Sequence, residues 1–176
     1  DNPQGMAAFS SRGPTQDGRI KPDIVAPGTM IISAKSSLSE IDAFYSVPGF
    51  NGYVHMNGTS MATPLTAGSA AVLREYLKKQ EKISNPGAAL MKAWLLNSAS
   101  DLTPGQHLFS DNPDKMEIEP APNDVQGFGR LNMEEAMEMI TGQSVHPYQS
   151  SVSASQPAME FSVDVSNGEK PLKATL

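Results

Sequence analysis

The sequence predicts an α/β domain with a parallel sheet over residues 1–142. A linker and the first strands of an incomplete β-sandwich are expected over residues 143–176. Three observations lead there. Short apolar runs, Ile24-Val25-Ala26, closed by Pro27-Gly28, and Met30-Ile31-Ile32-Ser33-Ala34, precede helical patterns, as in layered strand-and-helix folds. Residues 57–64 turn abruptly into the longest helical pattern of the chain. Beyond Thr141-Gly142 the composition shifts: residues 143–157 are rich in Ser, Gln and Pro. Met159, Phe161, Val163 and Val165 then alternate as in a half-buried strand, with Asn167-Gly168 as a hairpin turn.

The bulk composition narrows the function classes. With 176 residues the chain is long enough for about one domain. A net charge of −6 argues against nucleic acid or an anionic membrane surface as partner, because either needs clustered Lys and Arg. The absence of cysteine removes disulfides, thiolate metal sites and a cysteine nucleophile. No apolar run approaches the roughly 18 residues of a membrane span. Asp1-Asn2-Pro3 carries neither an initiator Met nor a signal-peptide pattern, which suggests a processed or truncated chain.

Taken in order, Met6-Ala7-Ala8-Phe9 reads as the end of a strand, and Ser11-Arg12-Gly13-Pro14 and Gln16-Asp17-Gly18 as turns. Residues 35–52 are polar and turn-rich, anchored by Phe44, Tyr45 and Phe50. Tyr53-Val54-His55-Met56 alternates as a strand entering the serine turn. A helix is predicted over residues 59–79, with Thr59 as N-cap; Leu65, Val72, Leu73, Tyr76 and Leu77 recur at helical spacing. Asn85-Pro86 is expected to open a second helix as cap and first position, reaching about residue 100. Residues 101–126 read as a long acidic, proline-rich loop exposed to solvent. A structural calcium ion is compatible with its carboxylates, but no ligand set is identified, and the metal expectation is none. A short helix over residues 133–140 closes the first domain.

The chemistry sits at Asn57-Gly58-Thr59-Ser60-Met61-Ala62-Thr63-Pro64. Asn-Gly is a tight-turn dipeptide, and Pro64 is tolerated only near a helix start. The turn therefore delivers Ser60 to a helix N-terminus, beside unpaired N–H groups and the positive end of the dipole. Such donors stabilise the oxyanion formed when a serine attacks a carbonyl. A capping serine would look similar in isolation, but Gly-Thr-Ser-Met-Ala-Thr-Pro resembles the nucleophile motif of the subtilisin-like serine proteases, the subtilases. Phe9-Ser10-Ser11-Arg12-Gly13-Pro14, Lys21-Pro22-Asp23-Ile24-Val25-Ala26-Pro27-Gly28 and Gly127-Phe128-Gly129-Arg130-Leu131-Asn132 resemble further family segments in the family's order.

This resemblance implies a secreted, extracellular endopeptidase acting on protein or peptide substrates through an Asp-His-Ser triad, with no cofactor required for chemistry. It implies Ser60 as catalytic nucleophile, with its own N–H as oxyanion donor. Thr59 would support the oxyanion site and Met61 would pack beside the serine. Met56, Asn57 and Gly58 would line the leaving-group side of the substrate cleft. Leu65 stands where many family members carry His. The triad order Asp, His, Ser places both partners before Ser60. His55, in no matching motif and five residues from Ser60, is read as a strand histidine; His107 and His146 are read as loop and linker residues. The Asp and His are therefore expected upstream, in an N-terminal half of the same catalytic domain that acts as the chain's partner, and the chain alone is expected to be inactive. Two alternatives stay open: a non-catalytic pseudoprotease or remnant binding module, and an α/β-hydrolase reading Gly58 to Ala62 as a nucleophile elbow. The latter would need Asp101, Asp111 or Asp124 with His146.

Overall fold

The computed structural model describes residues 5–40, 43–106, 116–141, 147–156, 158–162 and 173–175. Within them lie β1 (Ile31–Ala34), a 3₁₀ turn (Ala43–Tyr45), β2 (Ser46–Val47), β3 (Phe50–Met56), α1 (Thr59–Lys79), α2 (Ala88–Asn97) and α3 (Met133–Thr141). The strands form an antiparallel sheet in the order β1-β3-β2. Ile31 faces Met56 and Ala34 faces Tyr53 across β1 and β3. Residues 35–52 thus hold more pairing than their turn-rich composition suggests.

The parallel pairing expected of residues 24–26 is a single bridge, Val25 with Arg130. Val25 N–H donates to Gly129 O at 3.0 Å and Leu131 N–H to Val25 O at 2.8 Å. On its other side Arg130 exchanges two 2.8 Å bonds with Ser100 in antiparallel sense. The Gly127 to Asn132 segment therefore stitches the chain after α2 to the chain before β1.

The main core lies where the three helices meet. Leu73 and Leu77 of α1, Met91, Trp94 and Leu95 of α2, and Ala136 and Met139 of α3 are buried together. Burying such side chains is the principal stabilising term, at about 1.5–3 kcal/mol each. Trp94 adds a directional tie: its indole N–H donates to Ala136 O at 3.1 Å. α3 is capped by Asn132, whose Oδ1 accepts from Glu135 N–H at 3.0 Å, and Glu134 and Glu135 complement the dipole in its first turn. Beside this core, Asp23 pairs with Lys21 and with Lys92 Nζ at 2.7 Å, joining the segment before β1 to α2.

A second, smaller cluster packs Met6, Leu102 and Ile118 against Val25 and Val125. Its polar counterpart is Gln126, which is fully buried. Gln126 Oε1 accepts from Leu102 N–H at 2.8 Å; its Nε2 donates to Asp101 Oδ1 at 2.8 Å and to Glu119 O at 2.9 Å. Asp101 also accepts from Thr103 N–H, Thr103 Oγ1 and Ala121 N–H. The described parts of the long acidic loop are thus tied to the body by backbone and side-chain hydrogen bonds, unlike a freely solvated loop.

Several boundaries differ from expectation for local reasons. Gly58, not Thr59, is the N-cap of α1, and no side chain caps it. α2 begins at Ala88, with Gly87 rather than Asn85 as its N-cap, and ends at Asn97; the Asn85 side chain accepts instead from Arg74 Nη2 at 3.3 Å. Gln149 Oε1, from a distant part of the chain, accepts from Gly87 N–H at 2.7 Å. Residues 158–162 form no strand, although Phe161 packs edge-on to Tyr148 at 4.4 Å. Residues 163–165 and the Asn167-Gly168 turn lie outside the described residues, as do His107, Asp111, Asp114 and His146.

Candidate active site

Ser60 is the second residue of α1 and is exposed. The turn before it depends on glycine. Gly58 has φ 145° and ψ 164°, a conformation L side chains rarely adopt. Its N–H donates to Gly28 O at 2.8 Å, and the two backbones approach so closely that a Cβ on Gly28 would stand 2.9 Å from Gly58 O. Asn57 Oδ1 accepts from Met30 N–H at 2.5 Å. The Gly28 to Met30 turn and the serine turn therefore form one joined unit that continues into the β1–β3 ladder.

The helix start leaves backbone groups available for chemistry. Thr59 and Ser60 N–H lie in the first turn, where the helix offers no carbonyl to them. Met61 N–H closes back on Gly58 O at 3.0 Å. Pro64 sits inside α1 four residues after Ser60, so the N–H that would normally bond Ser60 C=O does not exist. Thr59 C=O accepts from Thr63 Oγ1 at 2.8 Å. Met61 is half-buried, with its sulfur against Gly58, while Thr59, Asn57 and Met56 are exposed around the turn.

Among the described residues no carboxylate or imidazole hydrogen-bonds Ser60. His55 lies on β3 with ring centroids 6.1 Å from both Phe44 and Tyr45, an aromatic setting on the strand entering the turn. Asp101 and Asp124 lie in the other core region, and Asp101 is already committed to the Gln126 network. Its carboxyl is held at about 2: partial burial opposes ionisation but is outweighed by bonds from the Thr103 hydroxyl, Ala121 N–H, Thr103 N–H and Gln126 amide. Asp101 is thus a structural acceptor, which removes it from the hydrolase alternative. No three His, Asp or Glu side chains among the described residues converge as a metal site.

Beside the turn runs an open groove of about 840 Å³, walled by Met6, Phe9, residues 22–30 and the small side chains Ala62, Thr66, Ala67 and Ala70 of α1. It reaches Gly58 and Thr59 but is not lined by Ser60. Sequence reasoning put Ser60 at a helix start, where it lies, but missed the Asn57–Met30 bond and the Gln126 hub. A polar residue between Val125 and Gly127 is the only trace the hub leaves in the sequence.

These features define an α/β protein that presents a serine at the open N-terminus of a long helix, approached through a glycine turn. The chain belongs to the subtilase family of serine peptidases: the family's model, described as "Subtilase family", matches residues 1–129. The chain is 39% identical over 149 residues to the serine protease/ABC transporter B family protein tagB of Dictyostelium discoideum, covering 75% of this chain and 8% of that protein. It is 38% identical over 135 residues to the serine protease AprX of Bacillus subtilis, covering 75% of this chain and 25% of AprX. Among solved structures, the Clostridium perfringens CspB protease superposes with a TM-score of 0.55 at 26% identity, over 82% of this chain and 25% of that one. The prenylagaramide maturation protease PagA superposes at 0.52 and 27% identity, over 78% and 39%. The chain therefore spans well under half the length of each of these relatives. No helix among the described residues is long and apolar enough to cross a membrane.

Proposed function

We propose that Ser60 is the nucleophile of a serine endopeptidase that hydrolyses peptide bonds in protein substrates. The observation that carries this is the exposed serine in the first turn of α1 of a subtilase, preceded by the Gly58 turn and followed by Pro64. The hydroxyl oxygen attacks the scissile carbonyl while a histidine takes its proton. The negative charge gathers on the former carbonyl oxygen and is met by the Ser60 N–H. The amine leaves with the proton returned by the histidine, and water then releases the acyl group from Ser60. The Thr59 hydroxyl supports the oxyanion site, Met61 packs behind it, and Met56, Asn57 and Gly58 border the leaving group.

The histidine and its aspartate come from sequence preceding residue 1, within the same catalytic domain. The groove along the small-residue face of α1 is where that half packs: Ala62, Thr66, Ala67 and Ala70 leave room for close backbone approach. In this reading the activity is extracellular and needs no cofactor.

Fluorophosphonate labelling with peptide mass spectrometry tests the reading. In the intact protein the adduct is expected on Ser60 and is abolished by Ser60→Ala. The present chain alone is expected to stay unlabelled. An intact protein that binds peptides yet never labels at Ser60 would refute the assignment and favour a pseudoprotease.

A further inference from the structure

We infer that Asn57 is a positioning residue, whose side chain pins the Gly28 to Met30 turn to the start of α1 and thereby sets where Ser60 stands. The inference rests on Ser60 being the nucleophile. Across β1 and β3 the backbones pair in regular register up to Ile31 opposite Met56. One step further the ladder cannot continue, because Met30 adopts φ 54°. Only Met30 and Lys82 among the described non-glycine residues have positive φ. Burial does not explain the conformation, since Met30 is 53% exposed. What the conformation does accomplish is to aim Met30 N–H at Asn57 Oδ1, 2.5 Å away. The Gly58 N–H bond to Gly28 O then resumes backbone pairing beyond the gap.

The Asn57 side chain thus replaces the missing rung at a permissive dipeptide, Asn57-Gly58. Without it, one backbone hydrogen bond would hold the serine turn to its neighbour. A purely substrate-facing role for Asn57 is at odds with this geometry, because its oxygen already accepts from Met30 N–H.

The test uses the intact protein with Asn57→Ala and with Asn57→Asp, which keeps the acceptor and removes the Nδ2 donor. Two readouts are taken: amide exchange at Met30, and the rate of Ser60 labelling with kcat and KM on a peptide substrate. The loss of one such bond predicts that Asn57→Ala accelerates Met30 exchange by roughly tenfold. It should lower labelling and kcat with KM nearly unchanged, while Asn57→Asp, which keeps the acceptor, retains Met30 protection. The inference is overturned if Asn57→Ala leaves Met30 exchange at the wild-type rate. It is also overturned if Asn57→Ala raises KM and leaves kcat unchanged, which would assign Asn57 to substrate binding. Absence of wild-type labelling at Ser60 would refute the nucleophile assignment and the positioning role with it, whatever Met30 exchange shows.

Discussion

Replacing Gln126 with leucine keeps its approximate volume and removes its amide. The side chain is fully buried and its three hydrogen bonds reach Leu102 N–H, Asp101 and Glu119 O. Stranding the Leu102 N–H, in a residue that is itself buried, costs about 2 kcal/mol, and loss of the donor to Glu119 O about 1 kcal/mol. The Asp101 carboxylate recovers much of its loss from water, because that residue is exposed on its other side. Extra apolar burial by leucine returns about 1 kcal/mol. The net expectation is a destabilisation of roughly 2–3 kcal/mol, one to two orders of magnitude in the folding equilibrium. Denaturant unfolding of the intact protein, followed by circular dichroism, measures it. Gln126→Glu supplies the control. At neutral pH it sets a second carboxylate against Asp101 and should destabilise at least as much, yet recover as acid protonates it into a donor. A Gln126→Leu cost below about 0.5 kcal/mol would refute the hub, since that is the scatter of substitutions at unimportant sites.

Three further outcomes are expected. Leu77→Ala, at a fully buried position where α1 meets α2 and α3, should cost about 2–5 kcal/mol by calorimetry or denaturant. Trp94→Phe removes the N–H bonded to Ala136 O and should cost about 1 kcal/mol, measured by circular dichroism, with the fold retained. Asp101 has its folded pKa lowered from 3.8 to about 2, so its stabilising contribution is complete above 3.8 and disappears as pH falls through about 2. Asp101→Asn should therefore flatten the acid limb of the stability curve, and an unchanged limb would contradict the assignment.

What could be read from the sequence was what local pattern encodes. α1 runs from Thr59 to Lys79 as the spacing of Leu73, Tyr76 and Leu77 requires, and the serine motif lies at its start. The departures have long-range causes. α2 begins later than Asn85-Pro86 suggested: Asn85 bonds Arg74 and the N–H of Gly87 meets Gln149, 62 residues away. Residues 24–26 pair through one bridge because their partner is the Gly127 to Asn132 segment, a hundred residues downstream. Asn57 looks like a turn former because its propensity is local, whereas its acceptor meets an N–H 27 residues earlier. Gln126 and Asp101 carry no motif at all, since a polar hub is defined by who surrounds it.

The burial of α1 is lopsided. Its last turns are clamped by Leu73 and Leu77, while Thr63, Pro64, Leu65, Ala67, Gly68, Ala71 and Val72 are exposed. At 1.5 Å per residue, Leu73 lies about 20 Å along the axis from Ser60. Within this chain the helix is thus a lever hinged in the core, its first turns lying along the groove where the upstream half is proposed to pack. A tilt of about 5° at the hinge would sweep the serine by about 1.7 Å, beyond the roughly 0.5 Å that catalytic geometry tolerates. Within the chain, the turn at Gly28 to Met30 is the stop at the lever's tip. A core substitution that loosens the hinge without unfolding the protein would then appear as a fall in turnover, with the chemistry itself untouched.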